Sequence, residues 1–483
     1  MTTRHPIPTF ASTSLLALAL AAPACSGDDG ATGDGTTTGA STTGSTTDAS
    51  TTGSTTAPGS TTADTEGSGG STGPGAVCGN GVVEGDEACD DGNQDALDGC
   101  EPDCTPSSGK EIWTATYDGM GMEDAVMAAA RLPDGRFLAV GWSQTASGFD
   151  TLLWFLNPDG TEDDAVVHDI GAVVDPGTSE RTFGLVVFDD GSFAVAGHLE
   201  ADPQNDDWDV FVRRYDATVN EVWTHTWGSM GGGADFARGL AYGPNDTYVV
   251  AGDTPGTNGT DGLLLALDEA GNEVFVTLYD GEDGKDDLFY GVAYDGNQIW
   301  VTGTTDYDPP FDRSKWFVAG YDASGVQQWA DVFAGSPDKF QRARGITTDA
   351  DGKAYVTGRL GSQGGGDIDV WVVGYDPNGV RSWTALYDSP AALEDDGYGI
   401  ARRDDGTVFV TGLSVAIGEQ QNILMGRWDD GGTLGWTAFE DGDLSLTDVG
   451  TAVALDSDGY PVFFGYTTMA GESRNAWARK VYP

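Results

Sequence analysis

The chain has 483 residues, enough for a large core plus accessory segments, and its 23 Lys and Arg face 77 Asp and Glu for a formal charge of −54. Such a field repels nucleic acid and anionic lipid and attracts divalent cations and basic partners, so the composition excludes a nucleic-acid-binding protein. Shifts in composition then divide the chain into a short apolar start, a polar tract, a cysteine-rich stretch and a long repetitive remainder.

At the start, Arg4 supplies positive charge, Leu15 to Ala22 an apolar run, and Ala22-Pro23-Ala24-Cys25 a small-residue cleavage site. The run is far shorter than the roughly 20 residues of a membrane-spanning helix. Residues 1–24 resemble a bacterial lipoprotein signal. That resemblance implies that Cys25 is acylated as the first residue of the mature chain, and that the membrane is reached only through this anchor. Ala22 stands where such signals usually carry Leu, so ordinary cleavage is the other reading. Ser26, where lipoproteins kept at the inner membrane carry Asp, implies export to the outer membrane or cell surface.

Residues 25–76 are Thr, Ser, Gly, Ala and Asp, as in Thr36-Thr37-Thr38-Gly39, with no hydrophobe able to seed a core. This composition predicts a disordered tether. About 50 such residues span on average roughly 40 Å.

Removing Cys25 from the five cysteines leaves Cys78, Cys89, Cys100 and Cys104, all within 27 residues. An even count in an exported segment with almost no apolar core predicts two disulfides, with a zinc site as the alternative. The phrases Cys78-Gly79-Asn80-Gly81-Val82-Val83-Glu84, Glu87-Ala88-Cys89-Asp90-Asp91-Gly92-Asn93 and Asp98-Gly99-Cys100, with Cys104, resemble the myxobacterial cysteine-rich repeat. The resemblance spans residues 78–104, within a module expected over 77–106, and implies a surface protein, with no catalytic activity. Asp90, Asp91, Asn93 and Asp98 offer hard oxygen ligands on a short loop, which suits calcium. The same residues equally make Asx turns.

Residues 111–483 repeat one phrase seven times, with marker glycines at 141, 197, 252, 303, 358, 412 and 465, spaced 51–56 residues apart. In the fifth copy Gly345 to Thr348, Lys353 to Gly358, Val370 to Tyr375 and Arg381 to Tyr387 read as strands. They are joined by the turns Asp349-Ala350-Asp351-Gly352 and Asp376-Pro377-Asn378-Gly379. Four antiparallel strands per repeat, seven times over, predict an all-β, seven-bladed β-propeller. The last copy stops after its third strand, and the missing fourth matches Ile112-Trp113-Thr114-Ala115-Thr116-Tyr117 ahead of the first copy. Pairing these two segments would close the ring and leave no open edge. The first copy is irregular, because Glu162 to Asp169 lacks the Trp of its counterparts. The phrase Tyr321-Asp322-Ala323-Ser324-Gly325-Val326-Gln327-Gln328-Trp329 resembles the repeats of bacterial exported propellers, including the quinoprotein-like group. That resemblance implies the fold; no cofactor-site motif accompanies it, so no organic cofactor is expected.

The long, dissimilar connections between second and third strands emerge on one face, where binding usually resides. Asp124, Glu180, Asp235, Asp395 and Asp448 each lie seventeen residues before a marker Gly, and Asp287 joins them if blade four carries a one-residue deletion. They open the innermost strands, so the six carboxylates are expected at the channel mouth, either capping backbone N–H groups or binding cations. Trp142, Trp208, Tyr307, Phe311 and Tyr466 lie on or beside the same loops and could stack on sugars or attract basic groups. His168, His198 and His225 fall on separate elements, and neither His-Glu-x-x-His nor Gly-x-Ser-x-Gly is present. The expectation is a non-enzymatic surface lipoprotein binding a protein or glycan through its loop-rich face. A hydrolase or lyase using the rim carboxylates and an envelope scaffold protein are the alternatives.

Overall fold

A computed structural model describes residues 77–483 except 84–86, 91–99, 102, 120, 147, 170–177, 203–206, 258, 282–283, 309–312, 337–338, 362–366, 392, 416–419, 443–445 and 470–472. The described residues contain 28 strands in seven four-stranded antiparallel sheets. No helix among the described residues is long and apolar enough to cross a membrane. Blades one to six each take four consecutive strands, and blade five runs Arg342–Thr348, Ala354–Gly361, Ile368–Tyr375 and Arg381–Tyr387. Blade seven adds Glu111–Tyr117 to Val449–Leu455, Pro461–Thr468 and Arg474–Val481. The imported strand runs antiparallel to the last one, from Trp113 opposite Lys480 to Tyr117 opposite Ala476. The Gly109 amide donates to the Tyr482 carbonyl (2.8 Å) and the Tyr482 amide to that of Lys110 (2.9 Å). Two separate chain segments thereby make the hairpin that one continuous segment makes in every other blade.

The hydrophobic pattern explains how the blades stack. Middle strands have both faces covered and read as near-continuous apolar runs, so Ile368–Tyr375 is buried at every residue. Outer strands have one face in water, and Gln327–Phe333 alternates exposed and half-buried residues. The buried side chains fall into seven clusters, each drawn from two successive blades. The closing cluster joins Phe137 and Trp154 of blade one to Phe464 and Ala478 of blade seven. Each large side chain so buried contributes about 1.5–3 kcal/mol, and no blade obtains this alone.

The marker glycines have one cause. Each inner strand slips register near its start, as between Gly397 and Gly399, and pushes a carbonyl toward the second strand. A Cβ on Gly412 would lie 1.9 Å from the Asp396 oxygen, and the other six marker positions repeat this approach. Pairing resumes beyond the slip, so the inner strand of blade five begins at Arg342, three residues before the expected Gly345.

Blades are also pinned at their outer edges. The Trp329 indole of blade four covers Gly379 in the third-to-fourth-strand turn of blade five, where φ is +79°. Trp436 likewise covers Gly109, which takes the place of the turn glycine in the split hairpin. Blade one, with Asp164 in place of this Trp, faces a blade-two turn that has Val219 (φ 63°) instead of Gly. Val219 packs into the cluster that contains Val166, so a β-branched side chain substitutes for the aromatic contact. In the cysteine-rich stretch, disulfides join Cys78 to Cys104 and Cys89 to Cys100, one nested inside the other.

Candidate functional site

Asp124, Glu180, Asp235, Asp395 and Asp448 begin or directly precede inner strands and Asp287 is the second residue of its own, yet each is 0 % exposed. They therefore do not present a ring of charge to solvent. Asp124 accepts the Gly119 amide (2.6 Å), Asp235 that of Ser229 (2.7 Å), Asp287 that of Gly281 (2.6 Å), Asp395 that of Ser389 (2.8 Å) and Asp448 that of Gly442 (2.6 Å). Every one of these donors lies in the crossing from the preceding blade. The second oxygen turns to the end of the second strand: Asp448 accepts the Thr468 amide (2.6 Å), and Asp287 the Thr305 hydroxyl (2.5 Å) and Asp306 amide (3.0 Å). In blade five Gln341 does the same work without charge, accepting the Gly335 amide (2.5 Å) and donating to the Ser336 carbonyl (2.6 Å). The position needs a hydrogen-bond acceptor, and charge is incidental to it. Burial pushes Asp124, Asp395 and Asp448 up to about 6, against the pull of the bonds they accept.

Three residues past these capping positions stand Met127, Phe183, Arg238, Tyr290, Arg344, Tyr398 and Thr451, with no acid among them although the chain carries 77 Asp and Glu. These side chains meet across blades at the ring of inner strands. The Arg344 guanidinium lies 3.8 Å from the centre of the Tyr398 ring and 5.1 Å from that of Tyr290. Arg238 approaches Tyr290 from the other side at 5.3 Å. Two residues before Arg344 on the same strand, Arg342 donates to Asp396 (2.6 and 3.1 Å) and to the Tyr398 hydroxyl (3.3 Å), while Arg359 pairs with Glu394 and Arg238 with Asp253. Each of the four arginines gathered here lies within 4 Å of an acid, Arg344 and Arg342 sharing Asp396, so the patch concentrates guanidinium groups inside a strongly anionic molecule. Beside it, Arg181 lies over Trp142 (5.5 Å) and Phe149 (4.7 Å), and burial holds its guanidinium below the usual range.

The loop aromatics are less available than their positions suggested. Trp142 and Tyr466 are only 4 % and 2 % exposed, Tyr466 lying under the Arg474 guanidinium at 4.8 Å. Trp208 packs edge-on against His198 (5.3 Å) and Tyr307 against Phe340 (4.7 Å). His198 is enclosed by Phe183, Trp208 and Phe236, and burial holds its imidazole well below the usual histidine value. Asp90 accepts the amides of Gly79 (3.0 Å), Asn80 (3.1 Å) and Gly81 (2.7 Å), nine to eleven residues earlier, so its carboxylate ties two separated segments together rather than closing a local Asx turn. Cys25, Asp91, Asn93, Asp98 and Phe311 lie outside the described residues. The arginine and tyrosine cluster was not singled out in the sequence. The signal was available in aligned copies, where the third residue after each cap reads as arginine or aromatic in five blades.

The architecture is that of a β-propeller. No family profile and no curated protein matches the sequence. Among solved structures, the chain is similar to a protein of unknown function from Dyadobacter fermentans, at 10 % identity over 77 % of this chain and 98 % of that one (TM-score 0.46). It is also similar to the β-propeller domain of the Trilobed protease from Pyrococcus furiosus, at 11 % identity over 74 % and 94 % (TM-score 0.42). A third similarity is to Chaetomium thermophilum Sqt1 bound to the N-terminus of ribosomal protein L10, at 12 % identity over 76 % and 99 % (TM-score 0.44). Likenesses this distant carry no argument about function.

Proposed function

We propose that this chain is an exported, lipid-anchored, non-enzymatic binding protein that uses the loop-rich end of its propeller to hold acidic groups of a protein or glycan. The observation that carries this reading is the stack of Arg344 between Tyr290 and Tyr398, with Arg238 and Arg342 beside it. Guanidinium groups held against aromatic faces are pre-oriented donors for carboxylate or sulfate, acting at short range within a chain whose overall charge of −54 repels acidic ligands at long range. The non-enzymatic reading draws support from the six carboxylates considered for acid–base chemistry, five of which accept main-chain amides inside the fold. The test is a glycan and peptide binding screen comparing acidic with neutral members, run on the full chain and on Arg344→Gln. Acidic ligands should bind preferentially and lose about tenfold or more in the variant. Equal binding of neutral ligands, or an unchanged affinity in the variant, would overturn the reading.

A further inference from the structure

Away from the arginine cluster, acids gather at one structurally equivalent place in two blades. Asp150 is the second residue of the third strand of blade one, Asp169 follows the end of its fourth, and Glu180 opens the inner strand of blade two. One carboxylate oxygen from each lies within 4.8 Å of the other two. Asp150 is 4 % exposed and Glu180 0 %, so water reaches two of these three groups poorly. Within this group Asp150 Oδ1 is buried and accepts no hydrogen bond. A buried carboxylate oxygen without a donor, set among further carboxylates, is costly unless a cation sits between them.

The arrangement recurs in blade five. Asp369 pairs with the residue two past its marker glycine, as Asp150 does, and Asp388 directly follows the outer strand, as Asp169 does. Asp367, Asp369 and Asp388 again place oxygens within 4.8 Å of one another, and Asp367 Oδ2 is buried without a hydrogen bond. Blade four supplies an internal contrast: its equivalent third-strand residue is Lys315, whose ammonium pairs with Asp306 at 2.5 Å. One blade thus brings its own cation to the place where two others bring clustered acids.

We propose that blades one and five each bind a calcium ion, through Asp150, Asp169 and Glu180 in the first and Asp367, Asp369 and Asp388 in the second. The donors are all carboxylates, hard oxygens from three residues at each site, which suits calcium better than transition metals. In blade one the ion ties the outer strand to the opening of blade two, so it stabilises the junction next to the irregular outer strand.

The experiment is calcium titration of the full, chelator-treated chain by calorimetry and by terbium luminescence, at fixed ionic strength, on the native sequence and on Asp150→Asn and Asp388→Asn. Asp388 is exposed, so its variant leaves the packed interior intact. Two ions per chain are expected, one lost in each variant, with a thermal midpoint raised by millimolar calcium and not by matched sodium. No binding beyond the sodium control, or a stoichiometry unchanged in both variants, would overturn the proposal.

Discussion

Whether a buried carboxylate can become a carboxamide depends on what its two oxygens receive. Asp395 accepts the Ser389 amide at 2.8 Å, and its other neighbour is the Ser414 hydroxyl, which can rotate from donor to acceptor. Asp448 accepts main-chain amides at both oxygens, from Gly442 and Thr468, and an amide N–H cannot reverse. Asp395→Asn should therefore keep or raise stability at neutral pH, since it removes a desolvated charge. Asp448→Asn should lose about 1–3 kcal/mol by setting donor against donor. Urea unfolding of the two variants distinguishes them, and equal losses would contradict the hydrogen-bond account.

At the scale of elements, the ring depends on a strand borrowed from far away in sequence. A chain beginning at Ser107 retains Gly109 and Glu111–Tyr117 and should melt in a single cooperative transition close to that of the full chain. A chain beginning at Gly119 lacks the strand, exposes the edge of Arg474–Val481 and strips cover from the cluster built on Trp154 and Phe464. It should melt lower and associate with itself as concentration rises, because an open apolar edge pairs with its like. Calorimetry and sedimentation on the two truncations test this.

Across the whole molecule two populations of aspartate oppose each other as pH changes. Burial raises Asp124, Asp395 and Asp448 to about 6 from an ordinary value of 3.8, so their ionised form is disfavoured in the fold. Their contribution to stability grows as pH falls from above 6 toward 4. The turn aspartates behave oppositely: hydrogen bonds led by the Asn220 amide hold Asp216 at about 2, and side-chain bonds lower Asp268 and Asp322. What they contribute is present above 3.8 and is lost as pH falls toward 2. Protonation also relieves the repulsion of a chain carrying −54. The thermal midpoint should therefore peak near about pH 5, fall gently toward neutrality and fall steeply below about pH 3. A midpoint rising steadily from pH 5 to 8 would refute this balance.

The repeat length, the four-strand unit, the turns and the strand that closes the ring were all legible in the amino-acid order. Each rests on local chemistry: alternating burial, Asp and Gly at tight turns, and a recurring Trp-containing run. The capping acids were legible by position but not by environment. Their burial comes from the crossing of the preceding blade, whose amides fold onto the caps, and only the tertiary structure reveals it. The meeting of Arg238, Tyr290, Arg344 and Tyr398, each some fifty residues from the next, is decided by the radius at which seven inner strands converge. The same holds for Asp150, Asp169 and Glu180, which three separate strand ends bring together. Sequence periodicity sets which residues share a place in the repeat, and only the closed ring sets how far apart those places are.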